Sequence, residues 1–113
     1  MTFDEYHEKA ISTLADTHAY GDLAPELLSQ VLGLVGESGE VAEKFKKLIR
    51  DKQGALSDDD RKEVLKELGD ILWYVNSVST LLGSSISEVA EINLDKVLSR
   101  KARGVTHGSG DNR

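Results

Sequence analysis

Two acidic pairs, each three residues apart, restrict what this chain can fold into. Glu37 and Glu40 lie in GLVGESGEVAEKFKK, and Glu67 and Asp70 lie in VLKELGDILWYV. On an α-helix a three-residue step puts both carboxylates on one face. Both pairs border apolar residues: Leu34, Val35 and Val41 beside the first, Leu68, Ile71 and Leu72 beside the second. Carboxylates gathered against an apolar face repel one another unless a cation sits among them. A fold that satisfies both pairs sets two helices side by side, with four carboxylates facing a shared cavity. An all-oxygen ligand set suits a hard divalent cation, Mg²⁺ first and Mn²⁺ as well. Ions held in that way serve phosphate chemistry. The plainer reading is a solvated helix face, with Lys44 pairing to Glu40 four residues before it. Glu43 falls off the Glu37–Glu40 line toward solvent, which makes it an accessory ligand at most.

The rest of the chain supports a helical frame for these pairs. It has one proline, few aromatics and abundant Leu, Glu, Lys and Ala, the usage of an all-α protein. Thr2 and Glu5 have the form of a capping box, so a first helix is expected from Phe3 to about Thr17. Pro25 suits the first position of a second helix, expected to stop near Gly54. Leu34, Val41, Phe45 and Leu48 give that helix its apolar spacing, while Gly33, Gly36 and Gly39 suggest a break or kink. Ser57 and the aspartates behind it open a third helix, with Val64, Leu68, Ile71, Val75, Val78 and Leu82 as its stripe and Gly83 as its stop. Ser85 or Ser87 caps a fourth helix running to about Arg103. The expectation is one all-α domain over residues 1–104, a four-helix bundle, with a polar, glycine-rich tail over 105–113. Four short helices around a polar cavity leave little core per chain, so a homodimer or homotetramer is expected.

The charge balance narrows the partners. Fourteen basic against 20 acidic residues leave a net charge of −6, unlike a nucleic-acid binder with its basic face. Small phosphorylated ligands remain compatible, because bound metal reverses the local field. The chain has no cysteine, so neither disulfides nor thiolate chemistry enter. No stretch is long and apolar enough for a membrane span, and MTFDEYHEKA lacks the basic-then-apolar order of a signal peptide, so a cytoplasmic protein is expected.

The complement to the acidic pairs lies on the fourth helix. Asn93, Lys96, Arg100 and Arg103 recur at three- and four-residue steps and share one face. Such a cationic stripe suits phosphate, with Arg giving bidentate contacts; surface salt bridges and favourable charge at a helix C-terminus are the ordinary alternatives. Trp73 and Tyr74 follow Asp70 by three and four residues. One is expected in the core or an interface and the other against a substrate base, in an order the sequence leaves open. His7 follows Asp4 at a chelating spacing. Neither acidic pair has a histidine in the Glu-x-x-His arrangement of carboxylate-bridged di-iron bundles, which sets that reading aside. His18 and His107 have no clear partners. The tail is read as either simple disorder or, through Ser109, Asn112 and Arg113, a cover over bound phosphate.

With these residues in place the chain resembles the MazG-type nucleoside triphosphate pyrophosphohydrolases of the all-α NTP pyrophosphatase superfamily. The family pattern, Glu-x-x-Glu, a variable gap, then Glu-x-x-Asp, reads here as ESGE and ELGD with 26 residues between them (41–66). The resemblance runs on through NLDKVLSRKARG and covers roughly residues 30 to 104. It implies Mg²⁺-dependent cleavage of a ribo- or deoxyribonucleoside triphosphate between the α- and β-phosphates. By position, Glu37, Glu40, Glu67 and Asp70 become metal ligands and catalytic carboxylates, with Glu40 the first choice to orient water. Asn93, Lys96, Arg100 and Arg103, with Lys44 and the aromatics Trp73 and Tyr74, become substrate contacts. The resemblance also implies dimers or tetramers whose sites borrow residues across subunits. Three other readings stay open: a specialised dUTP, dCTP or phosphoribosyl-ATP pyrophosphatase, a non-catalytic nucleotide- or metal-binding oligomer, and a structural module with solvated acids.

Overall fold

The computed structural model describes residues 1–14 and 19–113. Those residues form four α-helices and no strand: α1 Phe3–Ile11, α2 Pro25–Lys52, α3 Asp58–Leu81 and α4 Ile86–Ala102. No helix is long and apolar enough to cross a membrane.

The helix ends follow the capping chemistry of the sequence. At α1 the Thr2 hydroxyl accepts from the Glu5 N–H at 3.1 Å, and the Glu5 carboxylate accepts from the Thr2 N–H at 2.6 Å. Pro25 opens α2, where its missing N–H costs no bond. Ser57 and Asp60 form a second reciprocal box at α3, and Ser85, rather than Ser87, caps α4. Gly54, Gly83 and Gly104 follow α2, α3 and α4 with φ of 81°, 75° and 71°, the left-handed turn that glycine enters without steric cost.

Two expectations need correction. α1 stops at Ile11 and not near Thr17. The Ser12 and Thr13 hydroxyls donate back to the Lys9 and Ala10 carbonyls, both at 2.7 Å, and such bonds offer the backbone an alternative to further helix. Thr17 itself, like His18, lies outside the described residues. α2 runs unbroken through Gly33, Gly36 and Gly39. At Gly33 the missing Cβ serves contact: a methyl there would lie 2.2 Å from Cε1 of Tyr74.

α2 and α3 pack as an antiparallel hairpin. Lys52 meets Asp60 at 2.7 Å at the turn, and Ser77 donates to Gln30 Oε1 at 2.8 Å at the open end. α4 packs on α3, and α1 packs on no other helix among the described residues. The four helices therefore do not close a bundle within one chain. Leu48 is the one buried apolar side chain among the described residues, whereas Leu32, Leu65, Leu72 and Ile92 stay exposed. Of the α3 stripe, Val64, Ile71, Val75 and Val78 are half-buried and Leu68 and Leu82 are exposed. The radius of gyration is 19.9 Å, against about 13 Å for a compact chain of this length. The physical reason is amphipathic width: α2 and α3 are apolar over more surface than their neighbours within the chain cover.

Candidate active site

The α2–α3 seam holds the site. Gly33 faces Tyr74, and one turn further along α2 Glu37 meets Glu67 and Asp70. One carboxylate oxygen from each of these three acids lies within 4.8 Å of the others. Glu37 and Glu67 are half-buried and Asp70 is exposed. Three acids from two helices converge because Glu67 and Asp70 share a face of α3, and Gly33 lets the helices approach one turn away.

The electrostatics of the cluster are those of crowded acids that a cation would relieve. The Glu37 carboxyl is held above its ordinary value of 4.5, first by desolvation and then by the charges of Asp70, Glu67 and Glu40 and a hydrogen bond with Glu67. Crowding of this kind favours the protonated form until positive charge arrives. Oxygen donors that converge within a few ångströms fit a divalent ion of the Mg²⁺ or Mn²⁺ type, with room for water in its shell.

Glu40 is exposed and stands outside the three-acid group, near enough for its charge to act on Glu37. Lys44 does not pair with Glu40. Its Nζ lies 3.2 Å from Glu67 Oε1, across the seam. The sequence held the signal for this: Lys44 is seven residues, two turns, after Glu37 and so on the same face of α2. Glu43 pairs with Lys46 at 3.6 Å and Lys47 at 3.9 Å on the outer surface. Asp4, His7 and His107 belong to no metal-binding group among the described residues.

The two aromatics divide. Tyr74 is half-buried against Gly33, and its ring meets that of Trp73 edge-on, with centroids 5.0 Å apart at 87°. Trp73 is 59% exposed and borders an open cavity of about 330 Å³ with Gln30, Asn76, Ser77 and Thr80. Seam packing thus falls to Tyr74, and Trp73 is the one open to a ligand.

The cationic face of α4 is engaged elsewhere. α4 makes no close approach to α2, so one chain does not join this face to all three acids. Asn93 is exposed. The tail folds back over Lys96, Arg100 and Arg103 instead. Arg100 Nη2 donates to the Asp111 main-chain oxygen at 2.6 Å, and Arg103 Nη2 donates to that of Arg113 at 2.9 Å. Arg113 in turn donates to the carbonyls of Val105, Thr106 and Gly110. Lys96 and Arg100 hold the Asp111 carboxyl below its usual range, the Lys96 charge contributing most. The tail is therefore ordered, and sequence reasoning missed Asp111 because no local spacing marks a contact fifteen residues away.

A family model for the MazG nucleotide pyrophosphohydrolase domain matches residues 26–105. The chain belongs to the MazG nucleotide pyrophosphohydrolase family. The matched span begins one residue after Pro25 and ends one residue after the glycine behind α4, so it takes in α2, α3, α4 and every acid of the cluster. The chain is also 50% identical over 82 residues to "Gene 37 protein" of Mycobacterium phage L5, an alignment covering 73% of this chain and 72% of that protein. No solved structure matches.

Proposed function

We propose that this MazG domain is a Mg²⁺-dependent hydrolase that cleaves a ribo- or deoxyribonucleoside triphosphate between its α- and β-phosphates. The observation that carries the reading is the convergence of Glu37, Glu67 and Asp70 at the centre of the family's matched span. These three would hold Mg²⁺, or Mn²⁺ in its place. The bound ion supplies the positive charge that lets a triphosphate approach a cluster of acids and makes nearby water more acidic. Glu40, exposed beside the cluster, orients the attacking water and takes up its proton. Water adds to phosphorus, the bond to the bridging oxygen breaks, and the products are a nucleoside monophosphate and pyrophosphate. Lys44 reaches the phosphates from the Glu67 side, and Trp73 stacks on the base.

The active form is a cytoplasmic homodimer or homotetramer. A second copy covers the exposed apolar faces of α2 and α3, completes the bundle and brings the cationic face of α4, with Asn93, Lys96, Arg100 and Arg103, to the acidic seam. The support is the meagre core, with Leu48 the one buried apolar side chain among the described residues, and the open shape of the single chain.

Product analysis tests the reaction. Purified protein is incubated with a panel of nucleoside triphosphates, including dUTP and dCTP, and with phosphoribosyl-ATP, each with and without Mg²⁺. Metal-dependent monophosphate and pyrophosphate are expected. Diphosphate and orthophosphate would mean that another bond is cut and would overturn the assignment. Light scattering on the same sample tests the assembly, which a monomeric mass would sink.

A further inference from the structure

Arg100 is more than nine-tenths buried, at 7% exposure, yet the bonding of its guanidinium is lopsided. Nη2 faces three tail oxygens: the Asp111 main-chain oxygen at 2.6 Å, and the Gly110 carbonyl and Asp111 Oδ1 at 3.4 Å each. Nε is buried and has no hydrogen-bond partner among the described residues. Nε and Nη2 form one edge of the guanidinium, the fork that takes two oxygens of a single oxyanion. Arg50 shows that fork filled, with Nε and Nη2 on the two oxygens of Asp51 at 2.7 and 2.8 Å. At Arg100 the tail fills one prong and leaves the other empty. Lys96 Nζ reaches the same Asp111 Oδ1 at 3.4 Å.

We infer that Lys96 and Arg100 form a site for a phosphate-class oxyanion, and that the C-terminal tail occupies it as an internal competitor, through the main-chain oxygen and the carboxylate of Asp111. Three features favour a pyrophosphate-type ligand over the tail. A tetrahedral oxyanion offers two oxygens to the Nε–Nη2 fork, where the tail satisfies Nη2 alone. Its greater charge suits two cations better than one carboxylate does. Asp111 itself is 84% exposed, so its ion pairs are solvated and exchange at little cost. The tail is tied down by bonds that can reform: Arg103 to Arg113, and Arg113 to Val105, Thr106 and Gly110. Asp111 can thus leave when the oxyanion arrives and return as it departs, which would speed release of pyrophosphate. The inference deepens the reading of α4 as the phosphate-binding helix and rests on it; the oxyanion site itself needs no bound metal.

Calorimetric titration with inorganic pyrophosphate in EDTA tests the site apart from the acidic cluster. The full chain is compared with Asp111→Ala and Arg100→Lys. Asp111→Ala should bind about fivefold tighter, the scale of releasing a solvated ion pair. Arg100→Lys keeps the charge, loses the fork and should bind at least about fivefold weaker. In the wild type, pyrophosphate should shift the amide resonances of residues 108–112, which a purely structural tail would not show. Equal or weaker binding by Asp111→Ala, or unmoved tail resonances at saturation, would overturn the proposal. A wild type that hydrolyses nucleotides but shows no metal-free pyrophosphate binding would also overturn it while leaving the hydrolase standing. Pyrophosphate binding with the expected variant order, in a protein that turns over no nucleotide, would uphold the oxyanion site and remove the hydrolase.

Discussion

Asp60 and Glu37 lie on opposite helices of the same hairpin, and the fold treats their carboxyls in opposite ways. Asp60, at the turn, receives Lys52 Nζ at 2.7 Å and the Ser57 N–H and hydroxyl at 3.0 and 2.8 Å. Those partners pull its carboxyl down to about 2, the Lys52 bond contributing most. Glu37, at mid-seam, faces other acids and is pushed up. Asp60 at the turn is answered by a cation and by donors, and its bond to Lys52 ties the start of α3 to the end of α2. At mid-seam one lysine faces three converging acids. The half-buried acids of the seam keep an excess of negative charge that the proposed metal ion would answer, whereas Asp60 is already satisfied; that difference separates the proposed site from a staple on one pair of helices.

The comparison breaks most sharply at the acids themselves. Asp70→Asn or Glu67→Gln should lower nucleotide turnover by about 10³-fold or more, since a metal ligand cannot be spared. The helical circular dichroism spectrum should stay unchanged. Glu40→Gln should also cost orders of magnitude in kcat, with Mn²⁺ affinity closer to wild type because Glu40 stands outside the cluster. Full turnover in Asp70→Asn would place the chemistry elsewhere. Asp60→Asn should leave turnover intact, and a collapse there would erase the distinction between staple and site.

Next in size is the contact that brings the two helices together beside Glu37. Gly33→Ala adds a methyl 2.2 Å from the Tyr74 ring, so either the ring or the helix must move. Alanine gains about 1 kcal/mol in helix propensity, and overpacking costs about 1–3 kcal/mol. The single variant should therefore melt lower by several degrees, of the order of 4–8 °C per kcal/mol for a small domain. In a Tyr74→Ala background the clash is gone and the same change should raise the Tm. A Gly33→Ala protein as stable as wild type would mean that the seam has slack.

How far these features could be read from the sequence depends on their range. Capping boxes at Thr2 and Ser57, Pro25 and the closing glycines act within four residues, and the ends they mark agree with the structure to within about two residues for α2, α3 and α4. α1 ends earlier than its opening capping box suggests because the Ser12 and Thr13 hydroxyls bond back to the Lys9 and Ala10 carbonyls, a competition that capping at the other end does not reveal. The acidic pairs were legible as faces, and the structure joins three of their four members. What spacing could not supply was pairing across elements. The nearest-turn rule sent Lys44 to Glu40, when the facing helix offered Glu67 at 3.2 Å. Likewise the cationic run on α4 read as a phosphate stripe, and nothing local showed Asp111 lying on it. A bundle was expected within one chain because apolar stripes do not say whether the covering helix belongs to the same molecule.

The smallest effects separate the two carboxyls by pH. Asp60 is depressed in the folded state, so its contribution is complete above its ordinary value of 3.8 and is lost as the pH falls toward about 2. Asp60→Asn should lower the Tm at pH 7 and converge with wild type near pH 2. Glu37 has the opposite sign. Its carboxyl is raised above 4.5 in the folded state, so the charged form opposes folding once the pH exceeds both values. Glu37→Gln should therefore raise the Tm of metal-free protein at pH 7 by a few degrees, and the gain should fade as the pH drops through 4.5 and the wild-type carboxyl protonates. Mg²⁺ should reverse the order at pH 7, because wild type alone retains the full ligand set and gains from mass action. Differential scanning fluorimetry across pH, with and without Mg²⁺, reads both variants. A Glu37→Gln protein that is less stable than wild type without metal would show that Glu37 is a structural acid like Asp60, and the distinction between the two would fail at its centre.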